Sequence, residues 1–176
     1  RRAKMANRPF VRNDYIEIGK WLETKFKSEE VWVVLMPAKE FGSVLIRSLE
    51  TNAKWRLAFV NDKQKILIDI TSEQGKKIFD GIFNDKTIFS DEYSKHLTKA
   101  MNLVTLNNPK AQETGFIEAK KAFAINPSQA PASLLASFFR VEKYRTEIVQ
   151  IMTDYLKDFG ENKAVYKKQH GYNYKI

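Results

Sequence analysis

No cysteine occurs anywhere in the 176 residues. Disulfides, thiol nucleophiles and cysteine-ligated zinc are therefore excluded. Histidine is scarce too: the two present, His96 and His170, are too few for a metal centre unless carboxylates complete it. Each reads as an ordinary surface side chain. The seven glycines are scattered, so no Walker loop and no GxGxxG turn is available to cradle a nucleotide phosphate. The longest fully apolar run, residues 31–36, falls far short of the ~20 residues that span a bilayer. No charged-then-apolar leader opens the chain. These absences lead us to expect a soluble, non-enzymatic protein of the cytoplasm or nucleoid, with no cofactor, metal or membrane partner.

What is present is positive charge. The formal net charge is +9, which favours an anionic partner. Met5-Ala6 reads as a natural start, with residues 1–4 as an added segment; without its three positive charges, +9 becomes +6. With 43% hydrophobic residues the chain has the means to build a core rather than stay disordered.

Residues 1–13 read as a basic arm holding Arg1, Arg2, Lys4, Arg8 and Arg12. Asp14 with Glu17 reads as a capping pair for a helix to about residue 27, burying Ile18, Trp21, Leu22 and Phe26. Gly19 argues against it, and a strand from Tyr15 to Ile18 is the alternative. Residues 31–36, apolar on both faces, suit a central buried strand. Pro37 then fits the first position of a helix over 38–50, with Phe41, Leu45, Ser48 and Leu49 at helical spacing and strand as the alternative for 44–46.

The clearest element is a hairpin: alternating runs at 54–60 and 65–70 joined by residues 61–64. Its pattern pairs a face of Trp55, Leu57 and Phe59 with Ile66, Ile68 and Ile70, leaving Arg56 and Lys65 on the other side. Thr71 with Gln74 forms a capping box for a helix to about residue 83. Ser90 caps another through about 104, and 113–123 reads as a shorter one. Residues 126–131 form the strongest linker, and Pro131 opens one long helix that stops at Phe159 before Gly160. Leu134, Phe138, Val141, Ile148, Met152, Tyr155 and Phe159 line its apolar stripe, interrupted by Arg145, with Leu135, Phe139, Val149 and Leu156 as a second row. The fold class is α+β: a small antiparallel or mixed sheet with flanking helices, then a helical C-terminal half ending in a long helix. Residues 14–160 form a single domain, mixed to about 85 and helical after it, and 161–176 a basic tail.

In that tail three tyrosines, Tyr166, Tyr172 and Tyr174, are interleaved with Lys167, Lys168 and Lys175. Lysine neutralises phosphate and tyrosine stacks on bases. The sequence thus favours nucleic-acid binding, single strands slightly ahead of duplex. Arg56, Lys63 and Lys65 on the hairpin and Lys167, Lys168 and Lys175 in the tail are the phosphate contacts, with Tyr172 and Tyr174 as stacking platforms. A second reading is an assembly or regulatory protein joining a protein partner or a second copy through residues 131–159. A third compares Asp69 and Glu118-Ala119-Lys120 with the residues of PD-(D/E)xK nucleases, whose carboxylates hold magnesium. Here the triplet reads as helical rather than strand-borne.

Overall fold

The computed structural model describes residues 11–38, 44–106 and 108–170, with 162–170 as backbone alone. The expected arm through Phe10, Phe41, and the tail from Gly171 with Tyr172, Tyr174 and Lys175 lie outside the described residues. Three strands, β1 (Val33–Pro37), β2 (Trp55–Val60) and β3 (Gln64–Asp69), form an antiparallel sheet in the order β1-β3-β2. The run expected to be central is therefore an edge strand, and Leu35 on it is 64% exposed. Branched side chains suit a pleated strand but do not say where in the sheet it sits.

The hairpin forms with a register that differs from the sequence pattern. Trp55 lies opposite Asp69, and Leu57 opposite Leu67. The residues sharing a face with Trp55 and Leu57 are thus Lys65, Leu67 and Asp69, not the isoleucines. A one-residue change of register moves a whole strand face to the other side. Sequence parity could not choose between them because helices cover both faces and both are apolar. A bulge at Ala58 shifts the pairing again between Leu57 and Phe59, so Val60, not Phe59, is buried.

On the Trp55 face lie α1 (Arg12–Ser28) and α2 (Val44–Glu50). Leu22, Ile46 and Leu49 join Trp55, Leu57 and Leu67 in the core, and the Phe26 ring meets Trp55 edge-on at 5.4 Å. Trp21, expected in that core, is 55% exposed; it precedes Leu22 by a full ~100° step round the helix, which sets it on the outer flank. Asp14 is not the cap. The helix begins earlier, and the Asp14 carboxylate accepts the Val11 N–H at 2.9 Å. Gly19, the residue that weakened the sequence reading, has a packing reason: a Cβ there would sit 2.7 Å from the Ser48 carbonyl oxygen. Glycine lets α2 approach α1. Pro37 closes β1 instead of opening a helix.

The helix α3 (Glu73–Phe83) packs against β2 and β3 from the other side of the sheet, where Ile68 and Ile82 are buried. Its cap is Ser72, whose Oγ accepts the Gly75 N–H at 3.0 Å, rather than Thr71. Next comes α4 (Glu92–Val104), capped by Asp91 instead of Ser90. It runs along the free edge of β2. Thr98 Oγ1 accepts the Val60 N–H at 2.9 Å, and Asn102 Nδ2 donates to the Leu57 carbonyl at 2.8 Å. These side chains close an edge that would otherwise leave buried backbone groups unpaired.

Against α4 packs α5 (Pro109–Ile125), longer than the sequence suggested and capped by Asn108. The expected linker is short and fixed. Asp62 in the hairpin turn accepts from Tyr93 at 2.8 Å, Ser128 at 2.8 Å and Asn126 at 2.7 Å. The single long helix is two: α6 (Gln129–Phe138) and α7 (Glu142–His170). The break lets Phe138 and Tyr144 both pack on Phe116, with ring centroids at 5.4 and 4.2 Å. Arg145, which seemed to interrupt the stripe, donates to the Phe139 carbonyl at 3.0 Å. Gly160 does not end α7; it keeps helical geometry in open space.

Replacing Thr98 with Val removes the acceptor for a buried Val60 N–H. We expect a loss of about 1–3 kcal/mol in urea unfolding, with Thr98→Ser close to the parent. A Thr98→Val protein of unchanged stability would show that Thr98 does not close this edge.

Candidate functional site

The predicted hairpin contacts do not share a surface. Arg56 is half-buried and donates through Nη1 to the Trp55 carbonyl at 3.1 Å. Lys63 is exposed in the turn. Lys65, expected outside, is 3% exposed and its ammonium pairs with Glu50 at the end of α2. The register places it on the core face, opposite to Arg56. Lys167 and Lys168 fall within the α7 backbone, and their side chains lie outside the description.

The nuclease comparison fares similarly. Asp69 accepts from the Thr71 N–H at 2.8 Å and its hydroxyl at 2.6 Å. Glu118 turns towards α4, where His96 Nδ1 lies 2.6 Å from its Oε2. Lys120 turns towards α7, pairs with Glu147 and sits 5.2 Å from the centroid of the Phe116 ring. Residues two apart on a helix do not face the same way, so Glu118 and Lys120 serve different neighbours. Among the described residues no group of three or more His, Asp or Glu side chains is placed to hold a metal ion. None of the described helices is long and apolar enough to cross a membrane.

Most lysines of the helical half are engaged. Lys95 and Lys99 reach Asp85 at 3.3 and 2.8 Å, and Lys121 reaches Glu118 at 3.1 Å. On the sheet side, Lys54 pairs with Glu23. Other lysines stand outside such pairs, and three of them gather at α3 and the turn after it. Lys76, Lys77 and Lys86 are exposed and make no ion pair among the described residues. They line one open groove of about 920 Å³ together with Trp32, Gln74 and Asn84; Glu73 and Asp80 lie on the same wall. The Trp32 backbone is fixed at the mouth of the sheet, its carbonyl accepting the Asp69 N–H at 2.8 Å. The sequence pattern places residue 32 in a buried strand and singles out none of Lys76, Lys77 and Lys86. The adjacent pair Lys76-Lys77, followed by Lys86, was the available signal.

No protein-family model, curated protein or solved structure matches this chain.

Burial raises the affinity of Glu118 for a proton, but hydrogen bonds from His96 and Lys121 outweigh it and hold the carboxyl below its ordinary value. Folding therefore favours the carboxylate. Its contribution to stability is complete above the unfolded value of about 4.3 and is lost as the pH falls through the lower folded value. We expect Glu118→Gln to be less stable than the parent at neutral pH, with the gap closing as the pH falls below the unfolded carboxyl value in urea unfolding at stepped pH. A gap that stays constant would remove the ionised Glu118 from the α4–α5 contact.

Proposed function

We propose that this chain is a non-enzymatic nucleic-acid-binding protein that favours single strands slightly over duplex. One observation carries the reading. Lys76, Lys77 and Lys86 make no ion pair among the described residues and stand together around one groove. An ammonium without a protein carboxylate is available to displace a counterion from a phosphate, which is the main source of affinity for nucleic acid. Lys63 in the hairpin turn is a further exposed cation. The tail residues Lys167, Lys168, Tyr172, Tyr174 and Lys175 remain part of the proposal on sequence grounds.

Replacing Lys76, Lys77 and Lys86 by Gln is expected to weaken binding of a labelled single strand and flatten its salt dependence. About 0.7 per phosphate contact, the total loss of slope comes to about 2. Lys120→Gln, which removes a paired lysine, is expected to leave the slope unchanged. Fluorescence anisotropy across a salt series reads both. Equal slopes for parent and triple variant would detach the groove from binding.

A second reading, assembly through α7, rests on Val149 and Leu156, which are 52% and 65% exposed. They lie seven residues apart in the sequence and so on one helix face. It predicts a mass that rises with concentration and returns to that of the monomer in Val149→Asp, measured by sedimentation. A mass independent of concentration would remove it.

A further inference from the structure

We infer that Trp32 is the stacking platform of the α3 groove and that its ligand is an unpaired nucleotide segment. The inference rests on the nucleic-acid reading above and deepens it by assigning the site and the form of the ligand.

Three features of the groove converge. The first is an aromatic wall. Trp32 lines the groove and is only half-buried, on a backbone held to β3 by the Asp69 N–H. A base stacks on such a surface regardless of its identity, and only a base free of a duplex can reach it. The second is charge complementarity. Lys76 and Lys77 on α3 and Lys86 after it offer three cations against the two carboxylates of Glu73 and Asp80. The excess is small, so this site favours a ligand that adds stacking to charge. The third is hydrogen bonding. Gln74 and Asn84 on the same wall carry both donor and acceptor groups, which suit the edges of an exposed base. The volume, about 920 Å³, is near the upper end of the roughly 300–1,000 Å³ of small-ligand sites, so there is room for a short segment. The hairpin does not supply this combination: Trp55 is 2% exposed, and Lys65 is buried.

A test can use the chain's own fluorescence. Of its three tryptophans, Trp55 is buried and Trp21 is 55% exposed. In a Trp21→Phe background Trp32 is the accessible fluorophore. Titration with a single-stranded homopolymer of pyrimidine at low salt is expected to quench its emission at stoichiometric ratio, and a matched hairpin duplex to quench it little. Trp32→Ala is expected to weaken single-strand binding by about 5- to 100-fold while leaving the salt slope as in the parent, and Trp32→Phe to retain most of the affinity. Near-parent circular dichroism of Trp32→Ala rules out a folding defect as the cause of its weaker binding. If the single strand binds in a lysine-dependent way but Trp32 is neither quenched nor needed, the stacking inference is overturned and the phosphate-binding reading stands. Equal binding and equal quenching by the duplex also overturn it. If neither nucleic acid binds at low salt, the nucleic-acid reading falls and this inference with it.

Discussion

The free edge of β2 is the constraint on which the arrangement of the rest depends. A sheet of three strands has two edges, and a buried edge must find partners for its backbone N–H and C=O groups. Here a helix meets the β2 edge, with two polar side chains doing the work that a fourth strand would do. Thr98 accepts the Val60 N–H and Asn102 donates to the Leu57 carbonyl, both side chains being buried. The helix that carries them is also the one against which α5 packs. The sheet and the helical half are therefore joined through one shared core, which holds Trp55 and Leu57 together with Leu97, Phe116 and Leu135. The Asp62 cluster repeats the join at the hairpin tip, tying it to α4 and to the turn before α6.

Charge follows the same division between packing and contact. Lys65 lies inside, its ammonium beside Glu50, because the strand register turns it towards α2. The α4–α5 contact carries a polar knot of His96, Glu118 and Lys121 on its margin. The more exposed pairs, such as Lys120 with Glu147, add little stability individually, but all of them neutralise the basic side chains that enter them. Positive potential is then left to lysines outside such pairs, and Lys76, Lys77 and Lys86 are gathered on one helix and the turn that follows. Net charge alone does not say which basic side chains stand outside ion pairs; the tertiary structure does.

Much of the fold was legible because its signals are local. The hairpin came from alternation around a turn-forming Asn61-Asp62 pair, the start of α3 from a hydroxyl cap, and the first apolar row of α6 and α7 from its spacing. Three errors had other origins, two of them in tertiary packing. The hairpin register depended on which face of a sheet apolar on both sides met α1 and α2. The break between α6 and α7 contains neither glycine nor proline; it exists because Phe138 and Tyr144 both pack on Phe116. Gly160 was read as a stop, yet glycine destabilises a helix interior by only about 1 kcal/mol, and the residues after it continue the helix. The candidate site was the least legible part. Trp32 and the α3 lysines are separated by the whole hairpin in sequence, and only Lys63, among the hairpin residues chosen, sits outside with its charge exposed.

By itself the sequence determined the class of the fold, the absence of cysteine chemistry, the basic balance, and the identity of most elements, since these rest on composition and on residues within a turn or two of one another. Tertiary structure decided which strand lies at the centre, which lysines enter ion pairs, where the long helix bends, and that Trp32 shares a groove with Lys76, Lys77 and Lys86. Those outcomes depend on contacts between residues far apart in the chain. Such contacts are selected by the packing of whole faces, which no local pattern specifies.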